Sequence, residues 1–424
     1  MEFCKHFDVI VVGGGFAGCA AAIAAAEQGS SVLLLEASGA LGGAANVNLV
    51  NPFMRFFSRE ETGRMVFSRG IFERIAKELE QLGGLLGKRD IFASRTFNEE
   101  YLKLILDRMI ASAGVTLLLH SYLVDAEVEA GRIRSVTVAT KSGLLTFEAS
   151  YLVDATGDAD LAALAGCPFR LGREGDGLCQ PMTLMFRLAN VDMERYYEEK
   201  PSITPLYRQW QVEGRIQNPR EDVLIFHSTV PGVLHFNSTR VVRLNPTDVF
   251  DLTRAEREAR EQVFELFAFL KENFEAFREC ELSCTASSIG VRESRMIDGA
   301  YVLTVEDLKA CRRFEDSIAL GNYDIDIHNP EGSGTSHYYF HGTDHYTIPY
   351  RSLVPRGCDN LLVAGRCISA THEAQASVRI MPIVCCLGEA AGRAAALAAR
   401  DGIAVSEVDT DELRAVLIAN GAVV

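Results

Sequence analysis

Three glycines near the N-terminus are spaced to hold phosphate groups. Gly13, Gly15 and Gly18 follow an apolar, β-branched run at 7–12 and precede an alanine-rich helix expected over 20–28. In such a motif the first glycine permits a tight turn, the second lets the backbone approach a pyrophosphate, and the third lets the helix pack on the strand. The helix N-terminus adds free N–H groups and a partial positive charge. The motif therefore predicts a dinucleotide site, with a plain glycine-rich turn as the alternative.

A carboxylate lies at the distance that such a site requires. Glu36 comes 18 residues after Gly18, at the end of a second apolar strand expected over 31–35. There a carboxylate can accept hydrogen bonds from ribose hydroxyls, and it would repel a 2′-phosphate. This spacing favours the dinucleotide interpretation over the plain turn, and it disfavours an NADP-type ligand.

A second glycine pair follows this carboxylate. Gly42 and Gly43 would again bring the backbone close to a ligand. The alternative is a flexible loop after a strand. Because recognition of NAD does not require a second glycine cluster here, the pair indicates a longer ligand, for which FAD is the natural candidate.

Two later segments repeat the pattern of a buried strand that ends in small residues. The first is 151–160, with its turn at Ala155–Gly157, and the second is 360–366. The second leads to an alanine-rich helix expected over 382–399, and proline suits the first turn of such a helix at Pro382. The backbone amides at the start of this helix can hold negative charge.

The elements between these segments predict two interleaved domains. Residues 52–112 have mostly helical spacing, and a β-meander is expected after them. Composition changes after the strand at 151–160. We therefore assign 168–345 to an inserted substrate domain, and 1–167 with 346–424 to the dinucleotide-binding domain.

The composition limits the classes of function. The chain has 424 residues, a hydrophobic content of 48% that suffices for a large core, and a net charge of −15 that argues against nucleic acid or an anionic membrane as the main partner. Its 11 cysteines include no C-x-x-C pair, which fits a reducing, cytoplasmic compartment. A signal peptide is not expected, because the first strand starts by Phe7, and a transmembrane helix is not expected, because no apolar run approaches the length of a membrane span.

Two stretches of the expected insertion carry little periodicity. Residues 191–222 are polar and contain prolines, and no element is assigned to them. Residues 321–347 are aromatic and histidine-rich, and Asp324-x-Asp326-x-His328 could suggest a metal site. No helical H-x-x-x-H or C-x-x-C frame supports a metal, so none is expected. A long loop that lines the mouth of an active site is the preferred interpretation.

Four arginines are scattered over the first helical region, at Arg55, Arg59, Arg64 and Arg69. One interpretation places them on solvated helix faces, where such charges are common. The other is a rim that attracts an anionic substrate. The first interpretation is preferred, and the second stays open.

The glycine motifs, the turn at 154–158 and the strand at 360–366 together resemble the FAD-dependent oxidoreductases that share a glutathione-reductase type of FAD domain. Four stretches of this chain look like signature stretches of the family simply called FAD-dependent oxidoreductase: 289–297, 365–372, 379–382 and 388–392. The likeness to fumarate reductase flavoproteins is more distant. The resemblance implies an α/β fold. It consists of a Rossmann-like FAD/NAD(P)-binding domain with three-layer ββα character and an inserted α+β substrate domain.

The resemblance also implies which residues contact the cofactor. By analogy these are Gly13, Gly15, Phe16, Ala17 and Gly18 at the pyrophosphate, Glu36, Ala37 and Leu123 at the adenosine, and Gly42, Gly43, Ala155, Thr156, Gly157, Gly365, Arg366 and Met381 along the rest of FAD. Many relatives carry Gly-Asp where this chain has Gly365-Arg366, and arginine cannot accept the ribityl hydrogen bond that aspartate accepts. No histidine lies in 37–41, just before Gly42, where fumarate reductase relatives often attach FAD, so the FAD is expected to be non-covalent.

The flavin would carry the redox chemistry, and the protein would supply orientation, proton transfer and charge stabilisation. The candidate acids or bases are His372, which is preferred for its place after the Gly365 strand, and His328, His337 or His341. The candidates for clamping a carboxylate or polarising a carbonyl are Arg292, Arg295 and Arg379. The alternatives are an ion-pair network of Arg292 and Arg295 with Glu293, and histidines that serve packing or lie on the surface.

The expected function is hydride transfer between FAD and a small, polar or anionic organic substrate, with an unidentified electron acceptor or donor. Two alternatives stay open. One is a flavin electron-transfer subunit of a larger complex, whose iron–sulfur clusters would lie in a partner because no cysteine spacing for them is present. The other, less favoured, is a flavoprotein that modifies RNA. A homo-oligomer is compatible with the sequence.

Overall fold

The structure is a computed structural model that describes residues 6–58, 60 and 63–424, so that Arg59 lies outside the described residues. The strands are β1 (His6–Val12), β2 (Val32–Leu35), β3 (Thr116–Leu118), β4 (Tyr122–Glu129), β5 (Arg132–Thr140), β6 (Gly143–Asp154), β7 (Phe169–Leu171), β8 (Phe186–Ala189), β9 (Ile225–His227), β10 (Leu234–Phe236), β11 (Glu281–Thr285), β12 (Arg295–Ile297), β13 (Ser317–Gly321), β14 (Ile325–His328), β15 (Thr335–Tyr338), β16 (Tyr346–Pro349) and β17 (Leu361–Val363). The α-helices are α1 (Phe16–Glu27), α2 (Ile71–Gln81), α3 (Glu99–Ser112), α4 (Asp160–Leu164), α5 (Met193–Val212), α6 (Val249–Asn273), α7 (Val305–Lys309), α8 (His372–Val378), α9 (Met381–Asp401) and α10 (Thr410–Ala419).

The central sheet brings four strand ends to one edge. Strands β3, β2, β1, β6 and β17 lie side by side in that order and run parallel. Val12 is paired with both Leu35 and Asp154, and Asp154 is paired with Val363. The turns that follow β1, β2, β6 and β17 therefore emerge next to one another. This is the edge at which parallel α/β sheets bind ligands.

Helices cover one face of the sheet and a β-meander covers the other. Helices α1 and α9 pack on the first face, while β4, β5 and the first half of β6 form the meander against the second. The two helices touch closely: a Cβ on Gly388 would lie 2.0 Å from the carbonyl oxygen of Ala17, and one on Gly392 would lie 2.1 Å from that of Ala21. These layers confirm the predicted α/β fold with three-layer ββα character.

Helix α9 is the one helix, in the part of the chain that the structure describes, whose length and apolar composition would allow it to cross a membrane. Its apolar stretch is entirely buried inside the protein. Burial against α1 and the sheet accounts for that composition, because a helix in the core has apolar residues on every side.

A second sheet builds a separate core. Strands β11, β8, β10 and β9 are antiparallel and lie in that order. Their buried residues join α5 and α6 in one hydrophobic cluster. Residues between Leu303 and Phe340 belong instead to the core of the central sheet. The domain boundaries given above stay a prediction.

The predicted local structure is wrong at 52–70 and at 191–222. The described residues between 52 and 70 contain no α-helix, although a mostly helical region was expected to begin there. Helix α5 lies where no element was assigned, and it contains two prolines. Its buried residues include Tyr196, Ile203 and Tyr207, which recur at helical spacing and pack in the second core. Tertiary burial of this face outweighs the local cost of proline.

The stretch 321–347 is also more regular than predicted. Strand β14 pairs antiparallel with β15, with Ile325 opposite Tyr338 and His328 opposite Thr335. Strand β16 pairs with β13. The hairpin of β14 and β15 forms one wall of the site described next.

Candidate active site

Only glycine fits at two positions of the turn after β1. Gly13 has a φ of +99°, and a Cβ on it would lie 2.5 Å from the carbonyl oxygen of Ala155. A Cβ on Gly18 would lie 1.7 Å from the carbonyl oxygen of Gly13. Gly15 differs, because its backbone is extended and the nearest atom to its Cβ would be the Cα of Gly43 at 3.9 Å. No described residue fills the space in front of Gly15.

Two helices begin at this edge without a capping side chain. Helix α1 begins at Phe16 with Gly15 as its N-cap, so the amides of Phe16, Ala17 and Gly18 meet no capping group. Helix α9 begins in the same way at Met381. Each helix end offers backbone donors and a partial positive charge to an anion.

The carboxylate of Glu36 is held at the same turn by two backbone amides. It accepts hydrogen bonds from the amide of Gly14 at 2.6 Å and from the amide of Ser38 at 2.7 Å. The carbonyl oxygen of Gly14 accepts in turn from the amide of Gly42 at 2.8 Å. A Cβ on Gly43 would lie 2.9 Å from the Cα of Gly15. The two glycine loops predicted from the sequence therefore lie against each other.

Two further predicted cofactor residues flank Glu36. Ala37 follows it in the chain and is exposed. Leu123 is half-buried near the start of β4. The amide of Ser121 donates to the carbonyl oxygen of Glu36 at 2.9 Å, so the chain enters β4 beside this carboxylate.

The turn after β6 is shaped by a buried carboxylate. Asp154 accepts hydrogen bonds from the amide and hydroxyl of Thr156, at 3.0 and 2.7 Å, and from the amide of Ala162 at 2.9 Å. These bonds bend the chain at Ala155–Gly157. Complete burial of Asp154 nevertheless raises the pKa of its carboxyl group to about 6.

We expect the free energy of unfolding to depend on pH through the carboxyl group of Asp154. An aspartate in the unfolded chain has a pKa of about 3.9, so the folded protein binds the proton more tightly between about pH 4 and about pH 6. The contribution of Asp154 to the free energy of unfolding is therefore largest below about pH 4 and falls by about 3 kcal/mol as the pH rises past 6. Urea unfolding of the wild type and Asp154→Asn across this range measures the effect. The free energy of unfolding of the wild type should fall relative to that of Asp154→Asn as the pH rises from about 4 to about 6, and a constant difference would contradict this.

Arg366 turns toward an acidic partner at the end of β17. Its guanidinium donates to the carboxylate of Asp158 at 2.6 Å, and the hydroxyl of Ser294 donates to the same carboxylate at 2.5 Å. A Cβ on Gly157 would lie 2.5 Å from this guanidinium. The Nε of Arg366 is buried and has no hydrogen-bond partner among the described residues. The turn at Gly365, with a φ of +110°, is thus followed by a cation at Arg366.

His372 forms a buried pair with a glutamate. Its Nδ1 lies 2.8 Å from Oε1 of Glu293, and both side chains are buried. The other carboxylate oxygen of Glu293 accepts from the amide of Gln180 at 2.8 Å, which fixes its orientation. His372 also lines a cavity of about 460 Å³ beside Thr335 of the β15 strand.

A charged cluster lies at the start of α9. It consists of Arg292, Tyr323, Asp326, His328 and Arg379, and Arg379 directly precedes the N-cap residue of α9. The hydroxyl of Tyr323 donates to Asp326 at 3.1 Å, and Nε2 of His328 lies 3.5 Å from the same carboxylate. Arg292 donates to a hydroxyl and to a backbone carbonyl, both at 2.6 Å. The Nε of Arg379 is buried and has no partner in the described part of the chain.

The charges in this cluster shift one another's pKa values. Burial and then the charge of Arg379 lower the pKa of Arg292. Burial and then the charge of Arg292 lower the pKa of His328 to about 3. Burial alone would raise the pKa of Asp326, but the hydrogen bond to His328 and the charge of Arg379 lower it overall. His328 is therefore neutral near pH 7, and Asp326 is ionised.

Not every candidate residue joins the cluster. Arg295 donates to Asp160 at 2.7 Å and to the carbonyl oxygen of Asp158 at 2.9 Å, and it lies over the ring of Phe169. Its contacts are those of a structural ion pair. His341 is exposed. His337 is exposed and stacks on Tyr339, but its Nδ1 lies 3.6 Å from Oδ1 of Asp326, so it borders the cluster.

Sequence reasoning missed three members of this site. Glu293 was considered only as a partner of arginines, whereas its partner is His372. Asp326 was considered only as a metal ligand, although alternation along a strand would have placed it on the same face as His328. Tyr323 has no signal in the sequence that would have identified it.

The donor set at this edge suits a long dinucleotide. Two uncapped helix ends, two facing glycine loops and the Glu36 carboxylate lie together, and the Nε atoms of Arg366 and Arg379 are buried without partners among the described residues. These groups could hold phosphates, ribose hydroxyls and a polar ring edge.

Two solved structures superpose on most of this chain. A geranylgeranyl bacteriochlorophyll reductase-like protein from Thermoplasma acidophilum superposes with a TM-score of 0.52 at 11% identity, over 98% of this chain and 84% of that one. The p-nitrophenol 4-monooxygenase PnpA from Pseudomonas putida DLL-E4 superposes with a TM-score of 0.47 at 11% identity, over 99% of this chain and 89% of that one. At this identity the first likeness concerns the fold alone.

The family comparison is more specific. Residues 8–417 match the sequence model of a family described as FAD dependent oxidoreductase. The match includes both glycine loops, the Asp154 turn and the start of α9, and it confirms the resemblance and the cofactor predicted from the sequence. The chain therefore belongs to the FAD dependent oxidoreductase family and is an enzyme that uses FAD.

Proposed function

We propose that the protein transfers a hydride between non-covalently bound FAD and a small, polar or anionic organic substrate. When bound, FAD supplies the redox chemistry, and the chain supplies binding, orientation and proton transfer. The place of Arg379 carries this proposal. Its buried Nε lacks a partner among the described residues, beside Asp326 and next to the start of α9. An unused guanidinium donor in a buried site favours a ligand with a carboxylate or carbonyl oxygen.

The residues that would hold FAD are those at the common edge of the sheet. The amides of Phe16 to Gly18 would meet the pyrophosphate, and Glu36 would accept from the adenosine ribose. Arg366 would donate a hydrogen bond at the position where the aspartate of many relatives is expected to accept one from the ribityl chain. No histidine lies in 37–41, ahead of Gly42, which supports a non-covalent cofactor.

His372 is the residue best placed to move a proton. Because a carboxylate accepts, Glu293 holds the proton of the neutral imidazole on Nδ1 and leaves Nε2 as the free base. His328 is less suited, since Arg240 and Thr335 each lie 3.1 Å from its Nδ1 and Asp326 faces its Nε2. Glu293 acts here as a positioning residue. The cysteine content supports a reducing, cytoplasmic setting for the reaction.

Anaerobic reduction of the flavin tests the proposal. FAD-loaded protein would be mixed with small organic acids, sugars and amines while the flavin absorbance at about 450 nm is followed. We expect an organic acid to bleach the flavin, and Arg379→Gln to weaken the apparent affinity for that acid by about 10- to 100-fold, because a hydrogen bond to a charged group is lost.

The control replaces an arginine far from the site. Arg134 lies on the meander and pairs with the exposed Glu129, so Arg134→Gln should behave as the wild type. Bleaching by neutral compounds alone, or an unchanged affinity in Arg379→Gln, would overturn the proposal.

A further inference from the structure

A second pocket shares no lining residue with the charged cluster. It has a volume of about 400 Å³ and lies between two irregular segments at 52–58 and 92–96. Its walls include Arg55, Arg95, Phe57 and Phe92. We call this the arginine pocket.

Aromatic packing fixes the walls of the arginine pocket. The ring centroids of Phe57 and Phe92 are 5.2 Å apart, with the rings at 74°. Below them, the rings of Phe53 and Phe97 stack at 4.2 Å, and the amide of Phe53 donates to the carbonyl oxygen of Arg95 at 3.0 Å. The backbone that carries Arg95 is therefore anchored to the hydrophobic core, and the pocket is formed before any ligand arrives.

The described residues that line the arginine pocket carry positive charge. Burial and then the charge of Arg55 lower the pKa of Arg95, so two guanidinium groups act on each other in a partly buried space. Arg64 stands at the rim, with its guanidinium 4.9 Å from the ring centre of Phe57 and 5.2 Å from that of Phe92. None of the described residues that line the pocket is acidic. An anion bound among these guanidinium groups would gain charge-assisted hydrogen bonds.

We infer that the arginine pocket binds an oxyanion, a carboxylate or a phosphate. The inference goes beyond the proposed function, to which it adds a separate binding site. The rings of Phe57 and Phe92 favour a flat group next to the anion, because arginine and aromatic walls together suit an anion carried on a ring.

Binding of simple probes tests the inference without turnover. Isothermal titration calorimetry of the FAD-loaded protein would use benzoate, inorganic phosphate and the neutral analogue benzamide. Benzoate or phosphate should bind at least about 10-fold more tightly than benzamide, and Arg95→Gln should weaken that binding by about 10- to 100-fold. Tighter binding of benzoate would assign a carboxylate on a ring, and tighter binding of phosphate would assign a phosphate ester.

Two variants keep the test decisive. Arg55→Gln removes the second guanidinium and should weaken oxyanion binding as well, while Arg134→Gln should leave it unchanged. Equal binding of benzoate and benzamide, or oxyanion binding that survives both pocket variants, would overturn the inference. The two experiments fail independently, because the calorimetry needs no reaction. If the proposed function is wrong, the flavin is not bleached or the Arg379→Gln variant keeps the affinity of the wild type.

Discussion

Gly15→Ala is expected to leave the fold intact and to weaken FAD binding by about 100-fold, equivalent to about 2.8 kcal/mol. Gly15 has φ −69° and ψ −173°, which any residue adopts, and its added Cβ would approach no described atom closer than 3.9 Å. The methyl group would therefore cost the protein little. It would occupy the space in front of the first turn of α1, where the pyrophosphate is expected.

Titration of FAD into stripped protein, followed by flavin fluorescence, measures this affinity. Thermal unfolding of the same stripped protein shows whether the fold is kept. The matched control is Gly332→Ala, because a Cβ on Gly332 meets nothing within 4 Å and this glycine lies in the hairpin between β14 and β15. Gly18→Ala is less informative, since its Cβ would lie 1.7 Å from the carbonyl oxygen of Gly13 and would disturb the turn itself. Normal FAD affinity in Gly15→Ala would place the pyrophosphate elsewhere.

His372→Gln is expected to slow flavin reduction by about 10²- to 10⁴-fold, the usual contribution of a general acid or base. Glutamine keeps a polar side chain opposite Glu293 but cannot take up a proton at the position of Nε2. FAD content and the flavin spectrum should not change, because His372 lies at the start of α8 and not at the glycine loops. Stopped-flow measurement of anaerobic bleaching, with the substrate found by the screen, gives the rate.

His341→Gln is the matched control, because His341 is exposed. Glu293→Gln adds a second readout: it removes the charged acceptor at Nδ1, and we expect it to move the pH–rate profile while it lowers the rate less than His372→Gln does. A rate in His372→Gln within about threefold of the wild type would exclude this histidine as the proton-transfer group.

Much of the cofactor side of this enzyme was predictable from the sequence. The tasks assigned to Gly13 and Gly18 correspond to contacts that leave no room for a Cβ. The place of Glu36 at the end of β2 was likewise expected, although its hydrogen bonds to the amides of Gly14 and Ser38 were not. These features can be predicted because each depends on the backbone of a short segment, and the conformation of that segment restricts which residue types fit there.

The substrate side was only partly predictable. Arg292, His328 and Arg379 were named as candidates, and the structure brings them together around Asp326. The pairing of His372 with Glu293 joins residues 79 positions apart, and no local pattern reports it. Helix α5 was missed because proline was weighed by its local cost, whereas burial in the second core decides that segment.

By itself, therefore, the sequence determined the order of strand and turn, the dinucleotide site and the FAD family. The tertiary structure alone decided which polar groups share a site: Arg379 with Asp326, His372 with Glu293, and Arg95 with Arg55. The physical reason lies in the register of the central sheet, together with the hairpin and irregular segments packed around it. These place distant segments side by side, and the charge and burial that give an arginine or a histidine its role arise only from those neighbours.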